Sequence, residues 1–342
     1  MIKRSFFYSG LIALTLLSGC TQQTSVASSS EKTYEMIMTS EVPESHFKSQ
    51  LMMEFAEEIE RRTDGGIQVE FFAAGQLYKD ISAVRSLGTG AVHSVWPISS
   101  QLESIDNGFG ILALPFAITD DNMLKNGYRL ELVDILSELL TDQDISIQGL
   151  IRSSDLMYIS EQEELTSMED LKGKKIRLTG SVFLLNLAET LGYSAVAISA
   201  SEMSTSLSQG VIDAVFTSAD GWLTVLGTSV EYGYHAPGKN VQTYSILFDQ
   251  RWLDGLPEDY KNEVESLAQE IAARQWAEAM QKEQEIIEVL IEEGVTIHTE
   301  TEENIEKMKE DMQPAVEEFG AENQQLYDQF LQLESTFEEE SE

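Results

Sequence analysis

Apolar and polar positions between residues 170 and 218 follow two periods in alternation. Three short apolar runs have the length of buried strands, at 176–178, 195–198 and 211–216. The stretches between them carry apolar residues at helical spacing, and each closes at a glycine, Gly192 or Gly210. The order strand, helix, strand, helix, strand predicts a parallel sheet with helices on its faces.

The same alternation occurs between residues 34 and 96. The strand-like runs here are residues 34–38, 67–71 and 91–96. The helical stretch after the first run has one apolar face, made of Phe47, Leu51, Met52, Phe55 and Ile59. A second α/β unit is therefore predicted near the beginning of the chain.

Two strands and one long helix are predicted to join these units. Residues 145–151 read as a strand that leads to the second unit, and 241–248 as a strand that returns to the first. Residues 257–293 contain almost no helix breaker. A helix of about 35 residues is about 50 Å long, so we expect it to lie along both units.

These elements predict an α/β protein with two lobes, mixed sheets flanked by helices, and a long helix spanning both lobes. A further helix is predicted over 302–317. The expected boundaries are 34–152 plus about 241–275 for lobe I, 153–240 plus about 276–335 for lobe II, and 336–342 for a frayed acidic tail.

The charge of the chain excludes some partners. It has 22 lysines and arginines against 59 aspartates and glutamates, a formal net charge of −37. Nucleic-acid binding needs clustered cations, and an anionic membrane repels such a surface, so neither partner is expected. The acidity fits either an ordinary solvated surface or a chain that faces saline or alkaline fluid.

The N-terminus predicts export and lipid attachment. Lys3 and Arg4 precede an apolar run, 6–17, that is too short to span a bilayer. The run ends in Leu17-Ser18-Gly19-Cys20, which resembles the bacterial lipobox. We expect residues 1–19 to be a signal peptide, Cys20 to carry lipid, and 20–33 to be a flexible tether; the alternative is a plain secretory signal.

No motif predicts catalysis. Cys20 is the only cysteine, and the four histidines have no metal-ligand spacing. Neither a His-Glu-x-x-His nor a Gly-x-Ser-x-Gly sequence occurs, and the Gly233–Lys239 stretch lacks the Ser/Thr of a phosphate loop. We therefore expect no enzymatic activity, no cofactor and no metal.

Arg177 is the main candidate for ligand binding. It lies on the first strand of the 170–218 segment, and the strand ends of such sheets usually hold ligands. A guanidinium there can form a fork of two hydrogen bonds with a carboxylate. The alternative is an arginine on a solvated strand edge.

Several short motifs occur in an order and spacing typical of one family. They are Thr63-Asp64-Gly65-Gly66 before Ala74-Gly75-Gln76-Leu77, then Leu114-Pro115-Phe116, Glu169 to Arg177, Leu191-Gly192, Glu202 before Gly210-Val211-Ile212-Asp213-Ala214, and Trp252 to Pro257. From Tyr34 to about Gln332 the chain resembles the DctP-like solute-binding proteins of tripartite ATP-independent periplasmic (TRAP) transporters.

The resemblance implies a periplasmic-binding-protein-like fold whose lobes close on a small ligand. It implies delivery of that ligand to a small and a large membrane subunit that use a sodium gradient. Typical ligands of the family are organic acids, which an arginine at the position of Arg177 grips.

Departures from the family pattern leave the ligand open. Leu156-Met157 stands near the place of a second arginine, the closest arginine is Arg152, and Thr217 replaces an asparagine. A monocarboxylate or a zwitterion therefore fits as well as a dicarboxylate. The other expected pocket residues are the aromatic Phe216, Trp96 and Trp222, for each of which a core position is the alternative. The loops 39–41 and 98–100, with Thr39 and Ser99, are expected to complete the pocket from the first lobe.

The predicted function is capture of a carboxylate-bearing solute at the outer face of the cytoplasmic membrane. The protein would be a monomer that touches the membrane only through the lipid on Cys20. The alternatives are a binding protein that presents its ligand to a receptor and an extracellular enzyme built on the same scaffold, for which no motif speaks.

Overall fold

The computed structural model describes residues 32–339, which form two mixed sheets flanked by helices. The strands are β1 Tyr34–Thr39, β2 Ile67–Phe72, β3 Ser94–Val95, β4 Ile145–Asp155, β5 Met157–Ser160, β6 Lys175–Leu178, β7 Ser194–Ala197, β8 Ala214–Thr217, β9 Tyr232–His235, β10 Val241–Asp249 and β11 Thr296–Thr299. The α-helices are α1 Phe47–Arg62, α2 Asp80–Val84, α3 Asp120–Leu124, α4 Asn126–Glu138, α5 Val182–Leu191, α6 Met203–Ser208, α7 Ala219–Gly221, α8 Gln250–Asp254, α9 Glu258–Glu292, α10 Glu302–Glu322 and α11 Gln324–Glu339.

The first lobe is built on the sheet with strand order β2-β1-β3-β10-β4. Strands β2, β1 and β3 are parallel, as the alternating pattern predicts. The returning strand β10 runs antiparallel to both β3 and β4, which makes the sheet mixed.

The second lobe is built on the sheet with strand order β11-β9-β5-β8-β6-β7. Strands β7, β6 and β8 are parallel and come from the 170–218 segment. Strand β5 is antiparallel to both β8 and β9. The two-lobed α/β fold predicted from the sequence is thus confirmed, with antiparallel strands added at the side of each parallel unit.

Helix α5 shows how local sequence sets an element of this lobe. The Ser181 side chain accepts a hydrogen bond from the Leu184 amide at the first turn, which satisfies one of the free amides there. Gly192 ends the helix with φ 84°, a left-handed conformation that favours glycine. This helix therefore ends at the glycine that the sequence pattern predicts, and Ser181 caps its beginning.

The crossing elements hold the two lobes together. Strand β4 passes almost directly into β5, so the chain leaves one sheet and enters the other near Leu156. Helix α9 has 35 residues. It buries Val264 and Leu267 in the core of the first lobe, and Ile286 and Leu290 in a core cluster of the second. The expectation that the long helix lies along both lobes is confirmed.

The C-terminal part differs from the sequence prediction. Helix α10 extends to Glu322, and helix α11 then continues to Glu339, whereas a frayed acidic tail was expected over 336–342. Leu326, Phe330 and Leu333 are buried at helical spacing on α11. The many glutamates of this segment mask an apolar stripe that packs on the first lobe, so the segment is helical.

One local sequence signal does not form a helix cap in the structure. The pair Ser199 and Glu202 has the spacing of a capping box, but the Ser199 side chain makes no cap to the helix amides. Its hydroxyl instead donates to the Glu202 carboxylate over 2.6 Å. A complete capping box occurs earlier, between Ser167 and Asp170.

Candidate functional site

A cavity of about 40 Å³ lies between the two lobes. Glu41 and Lys48 line it from the first lobe, Arg177 and Thr217 from the second, and Tyr244 from the crossing strand β10. Arg177 and Thr217 stand near the carboxyl ends of the parallel strands β6 and β8. The cavity therefore occupies the sheet edge at which α/β proteins bind ligands.

Arg177 is 2% exposed. Its Nε donates to the Ile198 carbonyl over 2.8 Å and its Nη1 to the Phe216 carbonyl over 3.4 Å. Among residues 32–339 no carboxylate oxygen lies within 4.0 Å of the guanidinium nitrogens. Burial lowers the pKa of Arg177 to about 10, although the charge of Glu41 acts in the opposite direction. The side chain is thus a buried cation held in place by neutral carbonyls.

The opposite wall carries a buried ion pair. Lys48 Nζ lies 2.6 Å from Asp80 Oδ2, and each side chain is 1% exposed. The Glu41 amide donates to Asp80 Oδ1, and the Asp80 amide donates to Glu41 Oε2. Burial and the neighbouring Asp80 raise the pKa of Glu41, against the lowering effect of Lys48. This wall therefore offers carboxylate oxygens to the cavity, while its lysine is already paired.

His46 closes the cavity toward the N-terminus of α1. Its Nδ1 accepts a hydrogen bond from the Lys48 amide, so the proton of the neutral ring is on Nε2. Nε2 lies 3.1 Å from Asp220 Oδ2, on α7 beside the second sheet. Burial lowers the pKa of His46 to about 3, with a further contribution from Lys48. The imidazole is therefore a neutral group at the boundary between the lobes.

The residues predicted from the sequence are only partly brought together. Arg177 and Thr217 both line the cavity. Phe216 does not; its ring stacks on Tyr158 at 4.3 Å, and its carbonyl is a hydrogen-bond partner of Arg177. Thus Phe216 acts on the site through its backbone.

The first-lobe loops 39–41 and 98–100 contribute only some of their residues to the cavity. The Thr39 hydroxyl donates to the Tyr78 carbonyl, and Ser99 accepts hydrogen bonds from Thr243 and Ser245. Both side chains are buried away from the cavity. Glu41 and Ile98, next to them in the same loops, line it instead.

Trp96 and Trp222 are core residues in this fold, which corrects the expectation that they line the pocket. Trp96 is fully buried against Phe55, and its Nε1 donates to Ser94 Oγ over 3.2 Å. Trp222 is fully buried, and its Nε1 donates to the Val230 carbonyl over 2.9 Å. Both indoles satisfy their single donor inside the protein, as buried tryptophans usually do.

No second arginine lines the cavity among the described residues. Leu156 and Met157 are buried apolar residues. Arg152 lies 2.6 Å from Asp120 Oδ1 and 2.6 Å from Glu283 Oε2, and it does not line the cavity. Arg177 is therefore the one arginine among the described cavity residues.

Glu41, Lys48, Asp80 and Tyr244 carry the polar chemistry of the cavity beside Arg177, and of these four the sequence indicated only Glu41, as a member of the loop 39–41. Lys48 and Asp80 are 32 positions apart, so no local pattern pairs them. The signal for Glu41 was its position, since it lies two residues after the end of β1. The rule that ligands bind at strand ends could have selected it.

A larger groove of about 580 Å³ runs along α9 outside the cavity, but it is a weaker candidate. Several of its carboxylates already have cationic partners: Glu54 pairs with Arg274, Glu283 with Arg152 and Glu285 with Lys282. Arg177 does not reach it. Its charges are thus largely balanced within the protein.

Residues 32–339 contain neither a cluster of metal ligands nor a membrane-spanning helix. No group of three or more histidine, cysteine, aspartate or glutamate side chains there could hold a metal ion. None of the helices in that range has the length and apolar content needed to cross a membrane. The predicted signal peptide, Cys20 and most of the tether lie outside the described residues.

Residues 38–323 match the family described as bacterial extracellular solute-binding protein, family 7. The C4-dicarboxylate-binding protein DctB of Bacillus subtilis is 28% identical over 138 residues, which is 40% of this chain and 39% of that protein. The C4-dicarboxylate-binding periplasmic protein DctP of Vibrio cholerae is 23% identical over 76% of this chain and 78% of its own length. The match to the Bacillus protein thus spans less than half of that protein.

Solved structures share the fold over nearly their whole length. A TRAP periplasmic solute-binding protein from Desulfovibrio salexigens with bound orotic acid has a TM-score of 0.81 at 19% identity, covering 89% of this chain and 99% of that chain. The sugar acid binding protein DctPAm of Advenella mimigardefordensis, in complex with galactonate, has a TM-score of 0.80 at 20% identity, with 89% and 99% covered. With the family match over most of the chain, these likenesses show that the chain belongs to family 7 of the bacterial extracellular solute-binding proteins, the DctP-like solute-binding proteins of TRAP transporters.

Proposed function

We propose that this protein captures a small carboxylate-bearing solute in the cavity between its lobes, with Arg177 as the carboxylate-binding residue. The observation that carries the proposal is the buried guanidinium of Arg177, which has two carbonyl partners and no carboxylate within 4.0 Å among the described residues. A buried charge without a counter-charge is costly. A carboxylate from the solute supplies that counter-charge and forms strong, directional hydrogen bonds.

The opposite wall favours hydrogen-bond donors at the other end of the solute. Glu41 and Asp80 present carboxylate oxygens, which only accept hydrogen bonds when ionised. Lys48 is neutralised by Asp80 and is not a free partner for a second carboxylate. We therefore favour a hydroxylated monocarboxylate or a zwitterion over a dicarboxylate.

The ligands of related proteins include both kinds of acid. Among the structural neighbours, one holds galactonate, another β-D-galacturonate and a third orotic acid. The curated relatives from Bacillus subtilis and Vibrio cholerae are C4-dicarboxylate-binding proteins. The single cavity arginine and the Glu41–Asp80 wall support the sugar-acid side of this range for our chain.

Capture requires the lobes to separate and close. A cavity of about 40 Å³ holds little more than a few waters, whereas pockets for small organic ligands measure roughly 300–1,000 Å³. The solute would enter an open form and shift the equilibrium toward the closed form. The hinge would lie where the chain crosses between lobes, near 152–153, 240–241 and 275–276.

The bound solute would then be delivered to the small and large TRAP membrane subunits. A signal peptide over 1–19 and lipid on Cys20 would place the monomeric protein at the outer face of the cytoplasmic membrane, tethered by 20–33. Presentation to a receptor remains the alternative, and no feature of the cavity supports catalysis. Cys20→Ser should release the protein from the membrane fraction; retention of the variant there would contradict the lipid anchor.

A thermal-shift screen of the soluble chain, without residues 1–20, tests the capture. The probes are D-galacturonate, D-galactonate, orotate and succinate, with D-galactose as the uncharged control. A ligand at about one hundred times its dissociation constant stabilises the protein by about 2.7 kcal/mol, a shift of several degrees. We expect a sugar acid to shift the midpoint more than succinate, and galactose to leave it unchanged. An equal shift with galactose, or none with any organic acid in a wider screen, contradicts the proposal.

A further inference from the structure

A carboxylate of the first lobe binds the N-terminus of a helix that belongs to the second. Glu103 lies in the 3₁₀ segment Ser99–Ser104, which follows β3 of the first sheet. Its Oε1 accepts a hydrogen bond from the Ser181 hydroxyl, and its Oε2 accepts one from the Phe183 amide over 3.0 Å. Ser181 and Phe183 form the beginning of α5, which connects β6 to β7 in the second sheet.

The chemistry of this contact makes it strong. The first amides of a helix have no partner within the helix, and the helix dipole favours a negative charge beside them. Ser181 accepts a hydrogen bond from the Leu184 amide and donates its own proton to Glu103. The two side chains together satisfy several free donors of α5. Glu103 is 8% exposed, so it is largely removed from water at the place where the lobes meet.

The same contact is close to the carboxylate-binding residue along the chain. Arg177 is on β6, Thr179 lines the cavity, and Ser181 follows two positions later. When Glu103 holds Ser181, it also holds the end of the strand on which Arg177 is placed. His46 of the first lobe, which lines the cavity, approaches Asp220 of the second at 3.1 Å. Two contacts therefore cross from one lobe to the other, one at the cavity and one at the beginning of α5.

We propose that Glu103 is a positioning residue for solute capture, which holds the two lobes in the ligand-binding arrangement by capping α5 across the cleft. The role in affinity rests on the proposed function, because Glu103 itself does not line the cavity. Separation of the lobes at this point would break the two hydrogen bonds of Glu103, so the contact favours the closed arrangement. Loss of the contact lowers the closed fraction, and the apparent affinity for the solute falls by the same factor.

The test compares Glu103→Ala and Glu103→Gln with Glu318→Gln as the matched control. Glu318 is exposed and lines the same surface crevice as Glu103, but it forms no hydrogen bond with α5. Spin labels on Glu57→Cys of α1 and Glu189→Cys of α5, both exposed positions, report the distance between the lobes. Pulsed electron–electron double resonance gives the closed fraction with and without the solute identified in the thermal-shift screen. Stopped-flow kinetics give the dissociation rate of that solute.

We expect Glu103→Ala to lower the closed fraction and to raise the dissociation rate about tenfold to hundredfold, the range for hydrogen bonds to a charged group. Glu103→Gln retains an acceptor oxygen and should recover part of both values, while Glu318→Gln should match the unsubstituted protein. A closed fraction unchanged in Glu103→Ala overturns the proposal, and so does a loss of affinity that Glu103→Gln does not relieve at all. The distance measurement without ligand tests the contact between Glu103 and α5 even when no tested acid binds. Failure of this proposal can therefore be distinguished from failure of the proposed function.

Discussion

Two buried arginines of this protein have opposite surroundings. Arg152, on the strand that crosses between the lobes, is 3% exposed, and Arg177, at the cavity, is 2% exposed. Arg152 lies within 2.6 Å of carboxylate oxygens from Asp120 and Glu283. Arg177 has the carbonyls of the chain as its hydrogen-bond partners. The residue type and the degree of burial are the same, so the partners alone distinguish the two sites.

The pKa directions follow from these partners. Burial by itself lowers the pKa of Arg152, but the hydrogen bond to Asp120 and the charges of Glu283 and Asp120 outweigh it and raise that pKa. Burial lowers the pKa of Arg177 to about 10, with only Glu41 and Tyr244 opposing it. Arg152 is neutralised by carboxylates of the chain and joins structural elements. Arg177 is hydrogen-bonded to neutral carbonyls, which supports its proposed role in binding an anion from outside.

The region around Arg152 is built as a fixed junction. The Gln275 side chain accepts a hydrogen bond from the Arg152 amide and donates one to its carbonyl. Trp276, also on α9, donates from Nε1 to Asp120 over 2.8 Å. Strand β4, helix α3 and the middle of α9 are thereby joined at one point. Among residues 32–339 no such network surrounds the guanidinium of Arg177, which lines a cavity.

The largest effect is expected when the fixed junction loses its charge. Arg152→Met leaves the partly buried Asp120 and Glu283 without their shared counter-charge, so the free energy of unfolding should fall by about 3–5 kcal/mol. Urea unfolding followed by circular dichroism measures it. The double variant Arg152→Met with Glu283→Gln should recover part of the loss, because one unpaired carboxylate is then removed. If Arg152→Met had the same free energy of unfolding as the unsubstituted protein, the charge of Arg152 would not contribute to stability.

The second effect concerns binding and separates the two arginines. Arg177→Ala should weaken binding of the solute by about 2–5 kcal/mol, because the ligand carboxylate is then buried without its partner. The free energy of unfolding of the ligand-free variant should stay equal or rise, since an uncompensated buried charge is removed. Titration calorimetry and urea unfolding measure the two quantities. Arg177→Lys keeps the charge but not the fork and should lie between the two. An unchanged affinity of Arg177→Ala for the solute would contradict the assignment of Arg177 as the carboxylate-binding residue.

A third buried cation extends the comparison to pH. Lys239 Nζ lies 2.8 Å from Asn240 Oδ1, and burial lowers its pKa from 10.5 to about 7 although Asp155 opposes the shift. Between pH 7 and 10.5 the unfolded chain binds a proton here that the folded chain lacks. Stability should therefore rise with pH in that window, by at most about 1.4 kcal/mol per unit. Lysine, unlike arginine, can lose its charge when burial makes it costly.

Lys239→Met removes this titration and serves as the check. The variant should be more stable than the unsubstituted protein at pH 7, and the difference should shrink as the pH rises toward 10.5, where the lysine is neutral in the folded chain and half of the unfolded chains have lost the proton. Thermal unfolding at half-unit pH intervals measures both curves. Parallel curves would mean that Lys239 keeps its charge in the fold.

The smallest effect is expected at an exposed arginine. The Arg61 side chain is 70% exposed and pairs with Glu58 on the same helix. Water screens such a pair, and many pairs of this kind contribute nothing measurable. Arg61→Ala should therefore leave the unfolding midpoint and the ligand affinity unchanged. A clear loss of either would mean that the effects at Arg152 and Arg177 do not depend on burial.

The sequence alone determined the strands and helices, and it indicated the sheet edge at which we propose that the solute binds. Strand-length apolar runs, helical spacing and terminal glycines predict the parallel units, because these signals are local and repeat along the chain. The long unbroken helix follows for the same reason. Arg177 could be selected because it lies on a strand of the unit whose ends form one edge of the sheet. Its chemical type then indicated a carboxylate.

Only the tertiary structure decided which charges are partners. Nothing in the periodicity of the chain pairs Lys48 with Asp80, or places Glu103 at the beginning of α5. It also could not show that both arginines are buried while only Arg152 is neutralised. The reason is physical: spacing along an element shows which face a residue occupies, but the energy of a charge depends on the atoms that distant segments bring within a few ångströms.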